Sequence, residues 1–166
     1  MAYPSKEIAA MQALLTGSLE EAVEAADSVI AEFVRRRGLP EGSLAEGEPL
    51  IARYEGLEMV LEPQSGLPLI LATVALPCAV NERPALARYL LRTNLNWART
   101  GGGTLAALGP DDGITLCRMI HLVADGAEAL EREVVMTLEI AHALRVTIDG
   151  FDEDGPPPVE ADWVMA

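Results

Sequence analysis

Three consecutive glycines, Gly101, Gly102 and Gly103, mark the boundary that most constrains this chain. Before them, residues 85–99 space their apolar side chains as one face of a helix, and Pro84 suits the first turn, where a missing N–H leaves no bond unmade. Glycine stops a helix readily because it tolerates the left-handed backbone at the cap. Two stretches of strand character follow, 104–108 and 114–122, joined through Gly109, Pro110, Asp111, Asp112 and Gly113, a hairpin turn signal. Helix, stop, strand, turn and strand is the expected order.

Upstream, Ser18, Leu19, Glu20 and Glu21 form a capping box, so a helix is expected from 18 to about 37, ending at Gly38. Leu19, Val23, Ala26, Ile30, Phe33 and Val34 follow helical spacing, while Ala22, Ala25 and Val29 widen the stripe until it needs cover on two sides. Arg35, Arg36 and Arg37 sit in the last turn, where cations favour the negative end of the helix dipole. The breaker-rich stretch 39–49 leads into three strands, 50–54, 57–62 and 67–76, with turns at Gly56 and at Pro63, Gln64, Ser65 and Gly66. Leu57, Met59 and Leu61 alternate with Glu58 and Glu62, the pattern of a half-buried strand. The third strand is apolar on both faces, with Leu67, Leu69 and Leu71 opposite Ile70, Ala72, Val74 and Leu76, so its second face also wants a cover. Pro77 ends it. A last helix is expected over 127–146, with Leu130, Val134, Leu138, Ala141 and Arg145 near one stripe.

This order of helix, three antiparallel strands, helix, two-strand hairpin and helix predicts an α+β fold, a twisted antiparallel sheet packed on helices. Residues 1–17 are an extension with a short helix over 5–15, 18–148 form one domain, and 149–166 are an acidic, Pro-rich tail. The tail has no Lys or Arg and little apolar surface to offset its ordering entropy, so loose order is expected, although Trp163, Val164 and Met165 can dock.

The 166 residues suffice for one core without metal or disulfide staples. Half of them are apolar, which is more than a chain this small conceals, and the surplus is expected to face a subunit or a partner. A net charge of −14, from 26 acidic against 12 basic residues, repels phosphate backbones and anionic headgroups, so neither nucleic acid nor membrane is an expected partner. Basic peptide segments remain suitable. Cys78 and Cys117 lie in apolar runs as free thiols, which suits a reducing cytoplasm, and no run approaches the roughly eighteen residues of a membrane span.

No motif makes a case for catalysis, a metal or a cofactor. The triple glycine lacks a following Gly-Lys-Ser/Thr and follows a helix instead of preceding one, against a phosphate loop. Glu139 and His142 have a Glu-x-x-His spacing, yet a second pair is missing and His121 is the only other imidazole. Cys117 and His121 share a strand face, which keeps a cysteine hydrolase as a rival without a local signature. Acidic pairs such as Asp111 with Asp112 read as turn formers. Tyr89 and Trp97 read either as core or as interface anchors.

The motifs around the glycines resemble those of class I type III secretion chaperones, the family of the Tir chaperone. Leu90, Leu91, Asn94 and the run Thr100, Gly101, Gly102, Gly103, Thr104, Leu105 match its first motif, and Asp112, Gly113, Leu116, Arg118 and Leu122 match its second. The resemblance implies a cytoplasmic homodimer without enzymatic activity that binds the N-terminal segment of a secreted effector in extended form. It also implies a dimer stripe of Leu86, Tyr89, Leu90, Thr93 and Trp97. The apolar first helix and strands would receive the effector's side chains, with Val23, Ile30, Val34, Leu50, Ala52, Met59, Leu61 and Leu71 as the expected contacts. A regulatory or scaffold protein of the same fold, binding a folded partner, is the alternative.

Overall fold

The computed structural model describes residues 19–40, 43–44, 48–107, 113–122 and 126–155. The expected helix over 5–15, the capping role of Ser18, the turn residues 108–112 and the tail beyond 155 lie outside these residues. Helix α1 (Leu19–Arg37) is followed by β1 (Leu50–Tyr54), β2 (Leu57–Pro63) and β3 (Leu69–Leu76), then a single 3-10 turn (Val80–Glu82). Helices α2 (Pro84–Leu95) and α3 (Trp97–Thr100), strands β4 (Thr104–Ala107) and β5 (Ile114–His121), and helix α4 (Gly126–Asp149) complete the order.

The five strands form one sheet in the order β1-β2-β3-β5-β4. β4 pairs antiparallel with β5, with Leu105 opposite Leu116 and Ala107 opposite Ile114. β5 also runs antiparallel to β3. Its far end donates from the Leu122 N–H to the Pro68 carbonyl before β3, and Gly113 at its near end lies against Leu76 and Cys78 after β3.

The chain divides into two compact units, and β2, β3, β5 and α4 each run from one into the other. The first unit contains α1 and the start of α4, and its core includes Ile30, Phe33, Val34, Leu61, Ile70, Ile120 and Leu130. Arg36 reaches Glu128 and Glu131 of α4 at 3.2 and 3.1 Å, and Arg37 reaches Glu131 at 3.5 Å. The hydrogen bond and charge of Glu131 hold the Arg36 guanidinium above its ordinary pKa. The arginines at the end of α1 therefore act through carboxylates, Arg35 pairing with Glu32 in its own helix, and not only through the helix dipole.

The second unit holds α2, α3, β4 and most of α4, around Leu57, Met59, Val74, Leu76, Leu86, Leu90, Leu116 and Ile148. Here the expected helix over 85–99 is broken. Asn96 leaves the helical region at φ −100° and ψ 88°, and α3 then ends where Gly101 adopts the left-handed conformation and the Gly102 N–H reaches back to the Trp97 carbonyl. Two residues before the break, the Asn94 carboxamide accepts from the Leu105 N–H at 2.7 Å and donates to the Leu105 carbonyl at 2.9 Å. It satisfies the outer edge of β4 as a neighbouring strand would, because a carboxamide carries the same donor and acceptor as a peptide group.

Two further boundaries differ from expectation. β3 begins at Leu69 rather than 67, because Pro68 has no N–H to give and the Leu69 N–H turns back to Leu67. The buried stripe of α4 is Leu130, Thr137, Ala141, Leu144 and Ile148, while Arg145 turns to Asp149. Beyond α4, residues 150–155 are fastened. Arg83 donates to the carbonyls of Ile148 and Phe151, and the Glu153 carboxylate accepts from the Ala85 and Leu86 N–H groups at the start of α2. The Phe151 ring lies 5.5 Å from that of Tyr89.

Asn94→Ala strips two partners from a buried backbone and is expected to cost about 1–3 kcal/mol in urea unfolding, whereas exposed Leu91→Ala stays within about 0.5 kcal/mol. Gly113→Ala pushes a Cβ to 2.5 Å from the Leu76 carbonyl oxygen and 2.7 Å from the Cys78 nitrogen, so a loss of about 1–3 kcal/mol is expected in the same measurement.

Candidate partner-binding surfaces

The first unit contains a pocket of about 430 Å³, lined from α1 by Val23, Ala26, Asp27 and Ile30, from the β2–β3 connection by Pro63, Gln64, Ser65, Gly66 and Leu67, and otherwise by Leu44, Leu69 and Leu122. That volume lies within the usual range for ligand pockets, about 300–1,000 Å³. It exists because α1 is apolar around more of its circumference than one contact covers, and the turn at Gly66 leaves Leu67 48% exposed at the rim. Asp27 is the only charged residue in the lining, and among the described residues it has no ion pair or hydrogen bond.

β1 is a terminal strand of the sheet, with Ile51 and Tyr54 exposed and Arg53 paired to Glu58 across the hairpin at 3.0 Å. A terminal strand offers backbone donors and acceptors to an extended peptide. β4, at the other end, has its central peptide group already taken by Asn94. The two ends of the sheet are therefore chemically unequal.

The third surface is the outward face of α2 and α3, where Leu91, Leu95 and Trp97 are 66%, 88% and 74% exposed. The dimer stripe expected from the sequence lies largely on the other face of α2. Leu86, Leu90 and Thr93 are buried in their own subunit, and Tyr89 packs on Phe151, so of the expected stripe only Trp97 is freely exposed. Helical spacing identifies a stripe but not which of two apolar stripes faces inward, and here both faces of α2 carry leucines.

Of the expected partner contacts, Val23 and Ile30 line the pocket. Leu50, Ala52 and Leu71 are half-buried on their strands, and Val34 is buried outside the lining. Met59 and Leu61, 0% and 1% exposed, lie in the core on β2, an interior strand of the sheet. Leu44, Leu67, Leu69 and Leu122 were missed as pocket residues. Leu67 carried the one usable signal, an apolar residue directly after a turn.

The candidates for chemistry are dispersed. Cys117 is half-buried on β5, where burial pushes its thiol pKa up, while His121 at the strand's end is exposed. His142 Nδ1 lies 3.6 Å from Glu55 rather than beside Glu139. Among the described residues no three potential metal ligands converge, and no helix is long and apolar enough to cross a membrane.

The fold is shared by solved structures of low sequence identity. The ExsC-ExsE complex contains a chain 19% identical, with a TM-score of 0.60 over 72% of this chain and 90% of that one. The HopA1-SchA chaperone-effector complex gives 15%, 0.58, 74% and 94% for the same measures, and the ExoU-SpcU complex of the Pseudomonas aeruginosa type III secretion system gives 22%, 0.57, 74% and 99%. No curated protein sequence matches significantly. Residues 28–145, from the middle of α1 through nearly all of α4, match the Tir chaperone protein (CesT) family, and the chain belongs to that family.

Proposed function

We propose that this protein is a cytoplasmic type III secretion chaperone that forms a homodimer and holds the N-terminal segment of a secreted effector in extended, non-globular form. The observation that carries the reading is the pocket beside α1 in a chain of this family, rimmed by the half-exposed Leu67 and lined by aliphatic side chains together with Asp27, Gln64 and Ser65. Of the structures of similar fold, HopA1-SchA is a chaperone-effector complex and ExoU-SpcU is a heterodimeric complex of a type III secretion system, which supports the same kind of partner here.

The physics of such a grip is simple. Apolar effector side chains enter the pocket, and an extended backbone finds hydrogen-bonding groups along β1. Ordering the bound segment opposes these gains, so the complex releases its cargo without covalent chemistry or nucleotide. Leu91, Leu95 and Trp97 supply the apolar surface for a second copy. The protein acts by binding, without a catalytic group.

Co-expression with the secreted proteins of its own system is expected to yield one co-eluting complex whose effector segment is protease-sensitive. Val23→Asp or Leu67→Asp should weaken that complex by about ten-fold or more, the scale of one buried aliphatic side chain. Val146→Asp, on the exposed side of α4, should leave it intact. Leu91→Asp with Leu95→Asp should move the sedimenting species from dimer to monomer. Because burial raises the Cys117 pKa, its thiolate fraction at neutral pH is lower than that of a free thiol, so its alkylation should rise only at a pH above the ordinary thiol range. Rapid labelling of Cys117 at pH 7 would reopen the hydrolase reading.

A further inference from the structure

Helix α2 is poorly capped by its own sequence. Its N-cap is Arg83, whose side chain carries donors only, so the Ala85 and Leu86 N–H groups find no side-chain acceptor beside them. A guanidinium is also the wrong charge for the positive end of a helix, and no acidic residue lies in the first turn. Pro84 has no N–H to satisfy, and the first bond within the helix runs from the Ala87 N–H to the Arg83 carbonyl.

Both defects are repaired from beyond α4. Glu153 Oε2 accepts from the Ala85 N–H at 3.0 Å and Oε1 from the Leu86 N–H at 3.1 Å, while the same carboxylate lies 3.6 Å from Arg83 Nε. Arg83 donates from Nη1 to the Ile148 carbonyl at 3.1 Å and from Nη2 to the Phe151 carbonyl at 2.9 Å, and its guanidinium is 5.9 Å from the centre of the Phe151 ring. That ring also packs on Tyr89, about one turn further along α2 than Leu86. The Asp154 N–H donates to Asp152 Oδ1 at 3.1 Å, a local turn that folds the chain at Glu153. Residues 150–155 lie outside the stretch 28–145 that matches the family, so the cap of α2 comes from outside the shared domain.

We propose that residues 150–155 are a strap whose closure on the first turn of α2 sets how strongly the protein dimerises, with Glu153 as its positioning residue. α2 turns Leu86 and Leu90 into the core and Leu91 and Leu95 outward, so unwinding the first turn loosens Leu86, the anchor that holds the outward face in place. An open strap leaves only a fraction of the molecules with α2 fully formed, and the apparent dissociation constant of the dimer rises as that fraction falls. Linkage runs both ways: the dimer tightens the strap as much as the strap tightens the dimer. This coupling rests on the dimer reading, whereas the capping by Glu153 does not.

In the full chain, hydrogen exchange at the Ala85 and Leu86 amides reads the strap, and sedimentation equilibrium reads the dimer. Glu153→Gln should speed exchange at both amides about five-fold, the scale of one lost helix cap, and weaken the dimer by a similar factor. In the native chain, protection of these amides should rise with protein concentration as the dimer forms. Adding Arg83→Asp to Glu153→Gln supplies a local carboxylate cap and should restore both slow exchange and the dimer, which a misfolded variant would not do. Unchanged exchange in Glu153→Gln overturns the strap. Faster exchange with an unchanged dimer, equal protection in monomer and dimer, or a local cap that restores slow exchange without the dimer overturns the coupling and leaves the dimer reading standing. A native chain that stays monomeric at every concentration overturns the dimer reading, and the coupling with it.

Discussion

A guanidinium in the apolar stripe of β5 sets the terms for much of this molecule. Arg118 is 7% exposed between Leu116 and Ile120, where an unpaired charge would cost several kcal/mol, so its donors must find fixed acceptors. Nε donates to the Gly101 carbonyl at 3.0 Å, and Nη1 donates to the Thr137 hydroxyl at 2.7 Å. The end of α3 and the middle of α4 are thereby tied to the same side chain. Gly103 is part of that arrangement, because a Cβ there would come within 2.6 Å of Arg118 Cγ. The glycines and the arginine of the two family motifs are one physical unit: a helix must stop, pass close to a strand and present a carbonyl to a buried cation.

The same economy governs the sheet edges. Asn94 occupies the outer peptide group of β4, and what remains for an extended partner is β1 at the other end. The pocket in one unit carries Asp27 as its one charged lining residue, while Arg88 and Arg92 flank the exposed Leu91 and Leu95 in the other. These two surfaces have opposite electrostatic character.

Much of the fold was legible because its signals are local. Alternation in Leu57, Met59 and Leu61 placed β2, Pro84 opened α2, and the glycines closed α3 where expected. The break at Asn96 was not legible, since the residues on either side continue the helical pattern and the cause is a bond from Asn94 to a strand eleven residues away. The tail reading changed for a similar reason. Phe151 and Glu153 look like linker residues until Arg83, Tyr89 and the amides of α2 come to meet them. For the expected partner contacts the signals were not local: Val23 and Ile30 line the pocket, whereas Met59 and Leu61, equally apolar and periodic, lie in the core.

By itself, then, the sequence determined the order of elements, the α+β class, the surplus of apolar side chains and the acidic balance, all of which follow from periodicity, turn chemistry and composition. Only tertiary structure decided which apolar groups stay outside. Periodicity is symmetric between two leucine-bearing faces of one helix, and that symmetry is broken by what packs on each: Leu86 and Leu90 meet the core of the second unit, and Leu91 and Leu95 are left to water or to another chain.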